Sequence, residues 1–157
     1  MRRGFTLIEM IVIMGILFAL MTLTTINLIK PQASALLHTT MTQLLADLSS
    51  QQLRSMGGDT DTTADPIAHS VYLGSNSYTL FRGAVYSSSD TSNFTIALDP
   101  TLSLSTNFPD TTVTFQRGSG DVSGFTVSTD TITLTHTPTS NSISVTLNQY
   151  GTVISEN

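Results

Sequence analysis

The sequence predicts an α+β fold in which one long N-terminal helix, its first half transmembrane, packs on an antiparallel β-sheet head. Three observations predict it: an uncharged apolar run near the N-terminus, a following stretch with helical spacing of apolar residues, and a C-terminal portion of short alternating runs divided by turn residues. With 157 residues, the chain has room for one modest globular domain beside one membrane-length helix.

The first element lies in MRRGFTLIEMIVIMGILFALMTLTTINLIK, where a short basic head precedes 20 residues, from Met10 to Ile29, that carry no charge. At about 1.5 Å per residue such a helix covers about 30 Å, the thickness of a bilayer's hydrocarbon core, whereas the core of a secretory signal needs only about 7 to 15 residues. Arg2 and Arg3 lie before the run and only Lys30 just after it, which favours a cytoplasmic N-terminus with the rest outside. A conventional signal cut after Ala33-Ser34-Ala35 is the rival reading, since those residues have the small-x-small form. Pro31 removes a backbone donor and crowds the preceding turn, so a bend or break is expected near Leu28 to Lys30.

Beyond Pro31, Leu37, Met41, Leu44 and Leu48 recur at spacings of four, three and four, joined by Leu45, as on an amphipathic helix. Gly57-Gly58, placed after Arg54 and Met56, is a C-terminal stop. The helix is therefore expected from about Phe5 to about Met56, roughly 78 Å if unbroken. The polar loop GDTDTTADP separates it from the head.

The head reads as strands at Ser70 to Leu73, Tyr78 to Arg82, Phe94 to Leu98, Thr112 to Gln116, Phe125 to Val127, Thr131 to Thr135, Ser142 to Leu147 and Thr152 to Ile154. Period two is strict at Val113 and Phe115, at Ile132 and Leu134, and at Ile143, Val145 and Leu147, so one face of each is buried. Thr131 to Leu147 is expected to be a hairpin with a loop of about six residues around Pro138 and Asn141.

Glu9 sits just before the long apolar run, and no Lys or Arg lies one helical turn away to neutralise it. Ionisable groups at membrane depth usually persist because a partner charge offsets them, so the partner is expected from outside the helix. Cleavage after Gly4 would create an α-amino group on Phe5, and stacked copies could then pair Glu9 of one with Phe5 of the next.

Arg3-Gly4-Phe5-Thr6-Leu7-Ile8-Glu9-Met10 resembles the signal sequence of type IV prepilins and type II secretion pseudopilins. The resemblance implies a pilin fold, cleavage by a prepilin peptidase after Gly4, N-methylation of Phe5 and an assembly role for Glu9. It divides the chain into leader (1–4), transmembrane and assembly helix (5–30), amphipathic helix (31–57) and β-rich head (58–157). The implied partners are other pilin or pseudopilin subunits, the peptidase, an inner-membrane assembly platform and membrane lipid, with the head periplasmic or extracellular. Val71-Tyr72-Leu73, Tyr78-Thr79-Leu80-Phe81-Arg82-Gly83 and Gly151-Thr152-Val153 are similar to H-type pseudopilins and FimT-like minor pilins, which implies a low-abundance subunit. Many relatives carry a proline well inside the apolar run, whereas the first proline here is Pro31.

Other functions find little purchase. The net charge is -5, and loss of Arg2 and Arg3 leaves four basic residues against 11 acidic ones, or -7, which repels nucleic acid. A DNA-uptake receptor would have to rely on Arg54, Arg82 and Arg117, and a surface adhesin would need a ligand pocket that no motif announces. There are no cysteines, hence no thiol chemistry. His38, His69 and His136 are dispersed and read as surface or edge residues, His136 capping the buried face of a strand, and no G-x-S-x-G elbow suggests an enzyme. No cofactor is implied. Asp59, Asp61 and Asp65, and more weakly Asp90 with Asn93, offer the oxygen ligands that calcium prefers, but without an EF-hand's glycine and terminal glutamate.

Overall fold

A computed structural model describes residues 6–26, 29–57 and 67–157, and only the backbone of residues 23–26, 29 and 30. Among the described residues, helices α1 (Leu7–Ile26) and α2 (Ile29–Gly57) lead into eight strands. These are β1 (His69–Leu73), β2 (Ser77–Arg82), β3 (Phe94–Ala97), β4 (Leu102–Thr106), β5 (Thr112–Phe115), β6 (Thr131–His136), β7 (Asn141–Leu147) and β8 (Val153–Glu156). The fold is α+β, with α2 packed on antiparallel sheets. No helix is long and apolar enough to cross a membrane among the described residues.

The strands form two four-stranded sheets rather than one, in the orders β3-β2-β1-β5 and β4-β6-β7-β8, with every pairing antiparallel. α2 touches β1 and β5 of the first sheet and β6 and β7 of the second. The apolar stripe explains this position: Leu37, Met41, Leu44 and Leu48 are buried in one core with Val71, Val113, Ile132 and Val145. A backbone bond joins the sheets, from Leu104 N–H in β4 to the Ser75 carbonyl in the β1–β2 turn at 2.8 Å.

Pro31 falls in the first turn of α2, where a missing N–H costs no helical bond. The bend expected near Leu28 to Lys30 involves residue 28, which lies outside the described residues. At the far end, Gly118 N–H bonds to the Ser55 carbonyl at 2.8 Å, so a head loop satisfies one of the helix's last acceptors.

Two expectations for the strands are corrected. Phe125 to Val127 forms no strand: Gly124 and Ser128 stand at φ 64° and 85°, and Thr129 N–H closes a turn onto the Thr126 carbonyl. Only three residues separate those two positive φ values, too few for a ladder. The β6–β7 hairpin has a loop of residues 137–140, shorter than expected because His136 and Asn141 still pair. An unexpected strand, β4, pairs with β6 and buries Leu102 and Leu104. Its period-two pattern was present in the sequence, between a turn closed by Thr101 N–H on the Asp99 carboxylate and the Asn107-Phe108-Pro109 stretch.

Two positions yield stability predictions. Gly151 stands at φ 69°, and a Cβ there would lie 2.9 Å from Phe115 Cε1, so Gly151→Ala is expected to cost about 1–3 kcal/mol in chemical denaturation. Tyr78 is buried, and its hydroxyl donates to the Asp47 carboxylate at 2.6 Å, tying β2 to α2. Burial first, then the Asp47 hydrogen bond and charge, push the phenol's pKa up. The folded state therefore holds this proton after the unfolded chain has released it. The resulting stability is intact below the ordinary tyrosine value of about 10 and declines as pH rises above it. Tyr78→Phe is expected to lose about 1–2 kcal/mol at neutral pH and to flatten the alkaline decline, as measured by denaturation midpoints across that range.

Candidate assembly helix

Thr6 supplies the N-cap of α1. Thr6 Oγ1 accepts from Glu9 N–H at 3.4 Å, and Glu9 Oε2 accepts from Thr6 N–H at 3.5 Å. This reciprocal pair is a capping box, and it places a carboxylate where the helix dipole favours negative charge. Glu9 therefore has a contact within its own chain, but one that supplies no neutralising positive charge. The signal was legible, since Thr6-Leu7-Ile8-Glu9 has the Thr-x-x-Glu spacing. Both bonds are long compared with the usual 2.7–3.2 Å range, so the carboxylate retains most of its capacity for a stronger partner.

Every described side chain of α1 is exposed, on all sides of the helix, with Leu7 at 79% and Phe18 at 70%. A helix apolar all round is normally buried, either in a large core or in a membrane. Thr22 accommodates its hydroxyl by donating to the Phe18 and Ala19 carbonyls at 2.9 and 3.0 Å, which keeps this polar group satisfied without water. No described head residue covers the described α1 surface.

Gly4 and Phe5 lie outside the described residues, as do Asp59, Asp61 and Asp65. Asp90 is exposed, and the Ser92 N–H, followed by the Ser92 hydroxyl, holds its carboxyl below the usual carboxylate range. No group of three or more His, Asp or Glu is placed to hold a metal ion among the described residues. Arg54 and Arg82 line one groove together with Asp47 and His69.

The histidines divide. His38 is exposed, its Nδ1 3.5 Å from Glu156, and His136 caps the buried face of β6 while bonding Thr139 Oγ1 at 2.8 Å. His69 corrects the expectation of a surface position, because it is 1% exposed. Its N–H donates to Ser55 Oγ at 2.8 Å, and its Nδ1 lies 3.2 Å from Gln51 Oε1, a pairing that requires the ring proton on Nδ1. Gln51 and Ser55 continue the stripe of Leu44 and Leu48 by steps of three and four, but as polar residues they gave no hydrophobic signal.

A second concavity, unannounced by any motif, opens on the face of the first sheet away from α2. Its cavity of about 430 Å³ is lined by Tyr72 and Tyr86, by Val85 and Pro109, and by Asp110 and Ser123, among others. Tyr86, from the β2–β3 loop, lies parallel to Tyr72 at 4.1 Å between ring centroids and edge-on to Phe81 at 5.4 Å. Compared with family models, curated proteins and solved structures, the chain matches none.

Proposed function

We propose that the chain is a structural subunit of a type IV pilus or type II secretion filament, a minor pilin or pseudopilin. In this reading the chain is made as a prepilin, trimmed after Gly4 and methylated at Phe5. The uncharged residues 10–29, about 30 Å as a helix, hold it in the inner membrane. It then joins the filament through α1, with Glu9 paired to the Phe5 amine of a neighbouring copy.

The observation that carries the reading is α1 itself: apolar on all sides, uncovered by the head, and bearing one carboxylate in its first turn. Such a surface needs lipid or other helices around it. The long Thr6–Glu9 bonds support the pairing, because a desolvated amine offers the carboxylate more than a stretched capping bond does. The resemblance of residues 3–10 to prepilin signals supplies the processing steps.

Intact mass and N-terminal sequencing of the protein from its native cell test the proposal. A chain beginning at methylated Phe5 is the expected result. Retention of Met1 overturns it, and a start at Leu36 assigns the chain to ordinary secretion instead.

A further inference from the structure

We propose that the groove on the outer face of the first sheet binds a neutral saccharide. This inference concerns the head alone and stands whether or not the leader is removed. Its size, about 430 Å³, is in the range of small-ligand sites, roughly 300–1,000 Å³.

The lining decides the chemistry. Val85, 85% exposed, and Pro109 form apolar walls, while the polar groups are the Tyr72 and Tyr86 phenols, the Ser123 hydroxyl and the Asp110 carboxylate. None of these four makes a side-chain hydrogen bond within the described residues, so their donors and acceptors face the groove or water. Among the described residues no Lys, Arg or His lines the groove, and the one charged side chain that does is the Asp110 carboxylate, which disfavours phosphate, nucleic acid or any other anion. A purely apolar ligand would strip water from a carboxylate without replacing its hydrogen bonds. A quaternary ammonium is held by aromatic faces that converge on it, but Tyr72 and Tyr86 stack parallel at 4.1 Å and form no such cage. A sugar ring meets all of these conditions, with C–H faces for the walls and hydroxyls that donate to Asp110 and exchange hydrogen bonds with the phenols and Ser123.

The rim is also preset. Asp110 and Thr111 stand at φ 52° and 51°, consecutive left-handed positions in residues other than glycine. They are held there by the Thr111 N–H on the Phe108 carbonyl at 3.1 Å and the Thr112 hydroxyl on the Asp110 carbonyl at 3.0 Å, with Phe108 anchored in the core. Strain of this kind concentrates at ligand clamps. Here it fixes the carboxylate-bearing corner before any ligand arrives.

The test uses the full chain in a detergent without sugar headgroups, titrated by NMR with glucose, galactose, mannose and N-acetylglucosamine. Saturable binding of at least one, with Kd on the order of 1 mM, is expected. Asp110→Asn, which asparagine's tolerance of positive φ keeps foldable, is expected to weaken it about tenfold. Tyr86→Phe keeps the ring stack and should weaken it about threefold, whereas Thr39→Ala on the exposed side of α2 should leave it unchanged. The proposal is overturned if none of the four sugars saturates below about 50 mM, or if binding survives both groove variants undiminished. Choline or inorganic phosphate binding there in place of sugar overturns it as well.

Discussion

Glu9→Val is expected to leave trimming after Gly4 intact while reducing incorporation into filaments roughly tenfold or more, measured as the sheared-filament fraction relative to processed protein in the membrane. The magnitude follows from the medium. Two unit charges about 4 Å apart attract by about 4 kcal/mol at an effective dielectric near 20, well above the roughly 1.4 kcal/mol that a tenfold effect requires. The same substitution also removes the capping box with Thr6, so a second variant must separate the roles. Glu9→Gln retains a capping-box residue but loses the charge. If pairing with the Phe5 amine is the function, Glu9→Gln fails nearly as badly as Glu9→Val. If Glu9→Gln incorporates normally, the carboxylate serves only to start α1, and the pairing role is lost. Thr6→Ala completes the set: it is expected to weaken the helix start by about 1 kcal/mol with the charge still present, and to assemble nearly as well as the natural chain.

The largest stability effect is expected at Leu44→Ala, a loss of about 2–5 kcal/mol in the midpoint analysis of chemical denaturation. Leu44 is 2% exposed and lies on the stripe by which α2 touches both sheets. Its removal leaves a cavity between layers that cannot close without moving a strand or the helix. Against a typical domain stability of roughly 5–15 kcal/mol, this is enough to loosen the head at physiological temperature. Thr42→Ala, two residues away on the exposed side, should change stability by no more than about 0.5 kcal/mol. An equal effect at both positions would mean that the stripe does not dock the helix.

Much of the fold was legible because periodicity is written locally. Ile132 and Leu134, and Ile143, Val145 and Leu147, alternate with polar neighbours, and each is buried where that alternation implies. Leu37, Met41, Leu44 and Leu48 likewise face the core. The misses have local explanations too. β4 carried the same alternation in Leu102 and Leu104, while Phe125 and Val127 mimicked it between two residues at positive φ.

What lay beyond local reading was the fate of polar side chains. His69 looked like a surface residue, yet Gln51 and Ser55 receive it from one turn of α2. Nothing in the spacing of a histidine near position 70 and a glutamine near 50 announces that meeting. Burial of a polar group depends on whether distant partners satisfy it.

By itself the sequence determined the apolar character of α1, the position of Glu9 in its first turn, the docking stripe of α2 and most of the strands. Each of these depends on residues a few positions apart. Tertiary structure alone decided that the strands divide into two sheets, that β1 lies between β2 and β5, and that Tyr72, Tyr86, Asp110 and Ser123 line one groove. Alternation says which face of a strand is buried but not which strand lies beside it, since every edge offers the same backbone donors and acceptors. Pairing is selected by how all the side chains pack at once, and the groove exists only after that selection is made.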